Sequence, residues 1–101
     1  MRTLSDGTLL AIGRMTVAVG ELESMLAWLG GTPDEMRPDR VLQAARAAGG
    51  ERTAGLVEAA ATQLARARMA ARTLDGDAAA FDDITAFLLR IRDELAQPPD
   101  N

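Results

Sequence analysis

The chain has 101 residues, a net charge of −4 and 48% apolar residues, and it contains no His, Cys, Lys or Tyr. This length fits one domain with one core, and the apolar share argues against wholesale disorder. Without His and Cys the chain has no disulfide, no thiol nucleophile and no imidazole or thiolate metal ligand. The negative charge argues against a general affinity for nucleic acid or anionic membranes, and no apolar run is long enough to span a bilayer.

The first predicted helix begins at Ser5 or Asp6, both of which are good N-cap residues, and runs to about Leu29. Its apolar residues recur at alternating gaps of three and four, which places one stripe along one side of a helix. The pair Gly30-Gly31 ends this helix.

The segment after the first helix contains a signal for a helix start and, shortly after it, a helix-breaking proline. Thr32 to Glu35 fits a capping box with Pro33 at the first helical position, which predicts a single helical turn because Pro38 interrupts it. A short helix from about Asp39 to Ala48 follows.

Two further long helices are predicted, one from about Arg52 to Leu74 and one from about Ala78 to Ala96, with Asp77 as the N-cap of the second. The last helix has the clearest apolar stripe, formed by Phe81, Ile84, Leu88, Ile91 and Leu95. The sequence therefore predicts one all-α domain over residues 1–101, a bundle of three long helices and one short helix. Short connections make sequential helices antiparallel, and residues 97–101 form a frayed tail.

Several residues fall outside the main stripes and predict contact surfaces. Gly13 and Gly20 lie seven residues apart on one side of the first helix, and an interior glycine costs about 1 kcal/mol relative to alanine. A close approach of another helix explains the two glycines. The alternative is that each glycine destabilises the helix slightly and the fold tolerates it. The predicted interface also includes Leu10, Trp28 and Leu89. Since the core has few aromatic residues and is thin, we expect a homodimer.

The carboxylates and hydroxyls form no recognisable catalytic or metal-binding set. Glu21 and Glu23 are two residues apart and point to different helix faces, so they cannot chelate together. Ser5 and Ser24 have no His to act as a base. We therefore expect no catalytic residue, no metal, no cofactor and no enzymatic activity.

Five arginines lie late in the two last long helices, and a basic patch there would bind an anion or RNA. A helix dipole by itself favours cations near its C-terminus, so solvated structural arginines are the favoured interpretation. The five residues are Arg66, Arg68, Arg72, Arg90 and Arg92.

Trp28-Leu29-Gly30 resembles the Trp-x-Gly turn of small secreted substrates of type VII secretion, which are helical hairpins of similar length. This resemblance implies a secretion substrate. The C-terminal Tyr-x-x-x-acid signal of that class is absent.

A second resemblance covers more of the chain. The run from Gly13 to Ala18, followed by Glu21-Leu22-Glu23 and Leu26, resembles the opening helix of small bacterial helical proteins related to the HEPN superfamily. HEPN ribonucleases pair an Arg with a nearby His across a dimer cleft, and the segment Leu89 to Asp93 would occupy that place. The resemblance implies a helical, dimeric fold, while the catalytic His is missing.

The leading hypothesis is a non-catalytic protein–protein interaction module, homodimeric and cytoplasmic, in a bacterial regulatory or defence system. It would bind a protein partner, and we expect neither nucleic acid nor a membrane as its ligand. The alternatives are a degenerate HEPN-like RNA-binding protein or nuclease that uses Arg90 and Arg92, and a type VII secretion substrate.

Overall fold

The computed structural model describes residues 4–74 and 76–97. This part of the chain forms four α-helices and no strand, which confirms the predicted all-α bundle of three long helices and one short helix. The helices are α1 (Asp6–Leu29), α2 (Pro38–Ala48), α3 (Glu51–Thr73) and α4 (Ala78–Ala96). The predicted frayed tail lies, after its first residue Gln97, outside the described residues.

The two predicted N-caps of the outer long helices are confirmed. The Ser5 hydroxyl accepts the backbone N–H of Thr8 at 3.1 Å, and the Asp77 carboxylate accepts that of Ala80 at 2.9 Å. Each bond satisfies an N–H that a helix start leaves without a partner. Leu74 is the C-cap of α3, in the left-handed conformation with φ of 54°.

The connection between α1 and α2 forms the predicted single turn at Thr32 to Glu35, but without the predicted capping box. The Glu35 N–H donates to the Thr32 carbonyl at 3.1 Å, while the Thr32 hydroxyl has no partner among the described residues, so no capping box forms. Pro38 ends the turn, because it forces Arg37 into an extended conformation and prevents an earlier helix from continuing. Helix α2 therefore starts afresh at Pro38.

All four helices bury one apolar stripe in a shared core. The predicted α4 stripe is fully buried, and Phe81 at its start is completely inaccessible. The apolar residues of α3 at alternating gaps of three and four are Val57, Ala60, Leu64, Ala67, Ala71 and Leu74, which predicts one stripe. This stripe is buried only as far as Ala67, since Ala71 and Leu74 are exposed. The remaining core residues are Ala11, Met15, Ala18, Leu22 and Leu26 of α1, Val41 and Ala45 of α2, and Val57, Ala60 and Leu64 of α3.

Cross-helix ion pairs fix the directions of the long helices. Arg14 of α1 pairs with Asp82 near the start of α4, and Glu21 of α1 pairs with Arg92 near its end. Residue numbers increase together in both pairs, so α1 and α4 are parallel. Helix α3 joins α4 through a short connection and packs against it, so α3 runs antiparallel to both α4 and α1. Helix α2 lies between α1 and α3 in the sequence and cannot be antiparallel to both, so the prediction that all sequential helices are antiparallel is wrong for α2.

The molecule is flatter and more exposed than a compact monomer of its size. Its Cα atoms extend over 49 × 28 × 17 Å, with a radius of gyration of 14.4 Å against about 12.7 Å for a compact chain of this length. Its accessible surface is 6609 Å², whereas size scaling gives about 5,500 Å² for its mass. The total surface is therefore about 1,100 Å² larger than that of a compact monomer.

The end of α1 approaches α2 closely at Gly30, the C-cap of α1. A Cβ atom on Gly30 would lie 2.8 Å from the backbone nitrogen of Ala45 and 2.9 Å from the Cβ of Ala44. The end of α1 thus contacts the backbone of α2 directly. A side chain at residue 30 would not fit between the two helices.

We expect Gly30→Ala to lower the free energy of unfolding by about 1–3 kcal/mol, because the backbone of α2 has to move away from the new methyl group. Chemical denaturation measures the effect. The matched control is Gly55→Ala, where nothing lies within 4 Å of the new Cβ atom and helix propensity should stabilise the chain. Equal unfolding midpoints for Gly30→Ala and the wild type would contradict this packing.

Candidate interaction surface

A second apolar stripe runs along α1 on the side away from the core. We call it the α1 groove, and it consists of Leu10, Gly13, Val17, Gly20, Ser24 and Trp28. Its three large side chains are 64%, 62% and 74% exposed at Leu10, Val17 and Trp28. Helix α1 is therefore apolar on two opposite sides, which is the pattern of a helix covered from both sides.

The glycines make the middle of the stripe concave. No atom lies within 4 Å of a Cβ built on Gly13 or Gly20, so within the chain neither glycine approaches another helix. The predicted close approach at these two positions is therefore wrong for the helices of one chain. The structure instead leaves open backbone between the exposed side chains.

Two adjoining open depressions, of about 790 and 640 Å³, follow the α1 groove. Helix α1 lines one side of each depression. Helix α4 supplies the other side through Leu89, Arg92 and Ala96. Leu89 is partly buried against the core, and it extends the apolar surface from α1 onto α4.

Alternating charges border the groove on its α4 side. Arg14 holds the Asp82 carboxylate in a bidentate pair, with its Nε 3.2 Å from Oδ1 and its Nη2 3.0 and 3.1 Å from the two carboxylate oxygens. Arg92 donates to Asp93 at 2.7 Å and also to Glu21. The hydrogen bond to Asp93 raises the pKa of Arg92 most, and Glu21 adds to it against the opposing effect of burial.

The predicted interface residues converge on this surface. Leu10, Gly13, Gly20 and Trp28 lie on one face of α1, and Leu89 lies beside them on α4. Two members, Val17 and Ser24, were not predicted. The signal was present in the sequence, since Leu10, Val17 and Ser24 are spaced by seven residues and so share a face.

The five predicted arginines do not form one patch. Arg68 bonds to Glu23 at 3.2 Å where α1 meets α3, whereas Arg92 bonds to Glu21 where α1 meets α4. Each of these two guanidinium groups therefore already has a carboxylate partner. The other three, Arg66, Arg72 and Arg90, have exposed side chains on α3 and α4.

Residues 4–74 and 76–97 contain no group of three or more Asp and Glu placed to hold a metal ion. No helix in these ranges is long and apolar enough to cross a membrane. No protein-family model, curated protein or solved structure matches the chain. Function is therefore inferred from the α1 groove and its charged border.

Proposed function

We propose that the protein is a non-catalytic helical interaction module that forms a homodimer through the α1 groove, in the cytoplasm and within a bacterial regulatory or defence system. The observation that carries the proposal is the exposed apolar stripe on α1. Contiguous apolar surface of this kind marks a protein contact site. Exposed backbone at Gly13 and Gly20 lets a second helix approach closely, because the distance between packed helices depends on the side chains at the contact.

The uncovered apolar surface supports a second copy of the chain as the partner. A second copy of the chain would cover the large exposed side chains of the α1 groove, Leu10, Val17 and Trp28. Trp28 supplies the large exposed aromatic side chain that often dominates the energetics of such a contact.

The electrostatics favour a protein partner over RNA. Arg92 and Arg68 are paired with carboxylates of α1, which weakens the positive potential that either presents to a phosphate group. The net charge of −4 further opposes the approach of a polyanion. Alanine replacement of Arg90, which lies outside the groove, should therefore leave dimerisation unchanged.

Gly20→Ala tests the proposal through two effects of opposite sign. The new methyl group meets no atom within the chain, so the monomer should gain about 1 kcal/mol of unfolding free energy from helix propensity. The same methyl group lies where the second copy approaches, so the dimer should dissociate at least about ten-fold more readily, which corresponds to about 1.4 kcal/mol.

Two measurements separate these effects. Denaturation at dilute, monomeric concentration reports the first, and sedimentation equilibrium at higher concentration reports the second. Gly55→Ala on α3 is the matched control, since it changes helix propensity outside the groove. A dimer as strong in Gly20→Ala as in Gly55→Ala would show that the glycines do not face the partner.

A further inference from the structure

We infer that the second copy docks antiparallel on α1, about a two-fold axis beside Val17, so that Arg14 of each protomer faces Glu21 of the other. The inference rests on the proposed homodimer and specifies its geometry. It follows from the order of side-chain sizes along the groove and from the charges at its border.

Side-chain sizes along the groove are complementary only when the two helices are antiparallel. Leu10 and Ser24 lie seven residues on either side of Val17, and Gly13 and Gly20 lie four and three residues away. An antiparallel partner therefore places Leu10 opposite Ser24, so that a large residue faces a small one, which is the basis of close packing between surfaces. It also brings Gly13 within about one residue of Gly20 of the other copy. A parallel partner would place Leu10 against Leu10 and Ser24 against Ser24.

The charges give the same orientation. Arg14 and Glu21 both lie on the α4 side of the groove, since each is paired with an α4 residue. Arg14 and Glu21 are seven residues apart, and the midpoint between them lies next to Val17. A two-fold axis perpendicular to α1 reverses the direction of the second copy's α1 and keeps the α4 sides of both copies on the same flank. Arg14 of one copy therefore lies beside Glu21 of the other. A parallel partner, related by a two-fold axis along α1, would place the α4 sides of the two copies on opposite flanks, so Arg14 would meet neither charge of the other copy.

Both groups have bonding capacity left for this contact. Arg14 uses its Nε and Nη2 atoms for Asp82, and its Nη1 atom has no hydrogen-bond partner in the described part of the chain. Glu21 accepts from Arg92 through Oε2, and its Oε1 atom likewise accepts no bond there. Docking would join Asp82, Arg14, and the partner's Glu21, Arg92 and Asp93 into one row of alternating charges, in which every charge has an opposite neighbour.

Charge exchange tests the predicted contact. Arg14→Glu should place two carboxylates together at each border, and Glu21→Arg should place two guanidinium groups together, so each variant alone should lose at least ten-fold in dimer affinity. An equimolar mixture should recover dimers, because each protomer then faces an opposite charge. Each substitution also removes a pair within its own chain, and mixing separates the two effects, since it can repair only the contact between chains.

Cysteine cross-linking tests the orientation independently, because the natural chain has no Cys. In the antiparallel dimer, Leu10→Cys mixed with Ser24→Cys should form an intermolecular disulfide under mild oxidation. Leu10→Cys alone should form none, because the two copies of residue 10 are about 14 residues, or roughly 21 Å, apart along the helices. A disulfide requires Cα atoms less than about 7 Å apart.

The outcomes distinguish the geometry from the dimer itself. A disulfide in Leu10→Cys alone and none in the mixture would overturn the antiparallel geometry while leaving the homodimer intact. Failure of the charge variants to recover dimers on mixing would also overturn the predicted contact. A wild type that stays monomeric at high concentration would refute both the geometry and the proposed function.

Discussion

Phe81→Ala is expected to lower the free energy of unfolding by about 3–5 kcal/mol, the loss typical of a large aromatic residue removed from a well-packed core. Phe81 is completely buried in the first turn of α4 and has the largest of the fully buried side chains. Small domains are stable by only about 5–15 kcal/mol, so the variant should lose a large fraction of its stability. Urea denaturation followed by circular dichroism measures the change.

The chain offers a matched control on the same helix. Phe87 is 45% exposed, so Phe87→Ala leaves a smaller cavity and should cost no more than about 1 kcal/mol. Both variants should be compared with the wild type at one protein concentration, because dimerisation contributes to apparent stability. Equal losses for the two phenylalanines would contradict the placement of α4 on the core.

Val17→Asp is expected to weaken the dimer at least about 100-fold, or about 2.7 kcal/mol. Val17 is 62% exposed in the single chain, so the fold itself should tolerate the change. In the dimer, the two substituted carboxylates would meet beside the two-fold axis, without water and without an opposite charge. Sedimentation equilibrium over a range of concentrations gives the dissociation constant.

Thr16→Asp is the control for this substitution. Thr16 is exposed on α1 outside the groove. The substitution introduces the same charge as Val17→Asp, one residue away along the helix. It should leave the dissociation constant within about three-fold of the wild-type value, since a distant surface charge contributes little. If both variants weaken the dimer equally, the cause is net charge and the groove is not the contact.

The helices were predictable because their signals are local. Ser5 and Asp77 act as caps within three residues of the N–H groups that they bind, and the apolar stripe of α4 follows from a fixed period of 3.6 residues. The capping box at Thr32 does not form, because the Glu35 N–H donates to the Thr32 carbonyl and not to its hydroxyl. Pro38 then ends the turn by restricting the preceding residue to an extended conformation.

Tertiary contacts were less predictable, since they join residues far apart in the sequence. Gly30 meets another helix because the chain reverses there and α2 folds back on it, whereas Gly13 and Gly20 face open space. The local sequence identifies Gly30-Gly31 as a helix end, but it does not show which element packs against that end. Whether a second copy of the chain covers Gly13 and Gly20 stays a prediction.

The arginines illustrate the same limit. Arg68 and Arg92 each bind a carboxylate of α1, at sequence separations of 45 and 71 residues. Their positions near helix ends predicted only that a cation is tolerated there. The pairing with Glu23 and Glu21 depends on the order in which the helices pack, which the spacing of charges along one helix does not encode.

The most direct test of the dimer is the mass of the wild-type protein in solution. The monomer mass is 10.7 kDa. Sedimentation equilibrium should give twice that mass at concentrations of about 100 μM and a decline towards the monomer mass below about 1 μM, as a micromolar dissociation constant requires. A mass that remains at the monomer value throughout this range would contradict the account, because the α1 groove would then be an uncovered surface in the native protein.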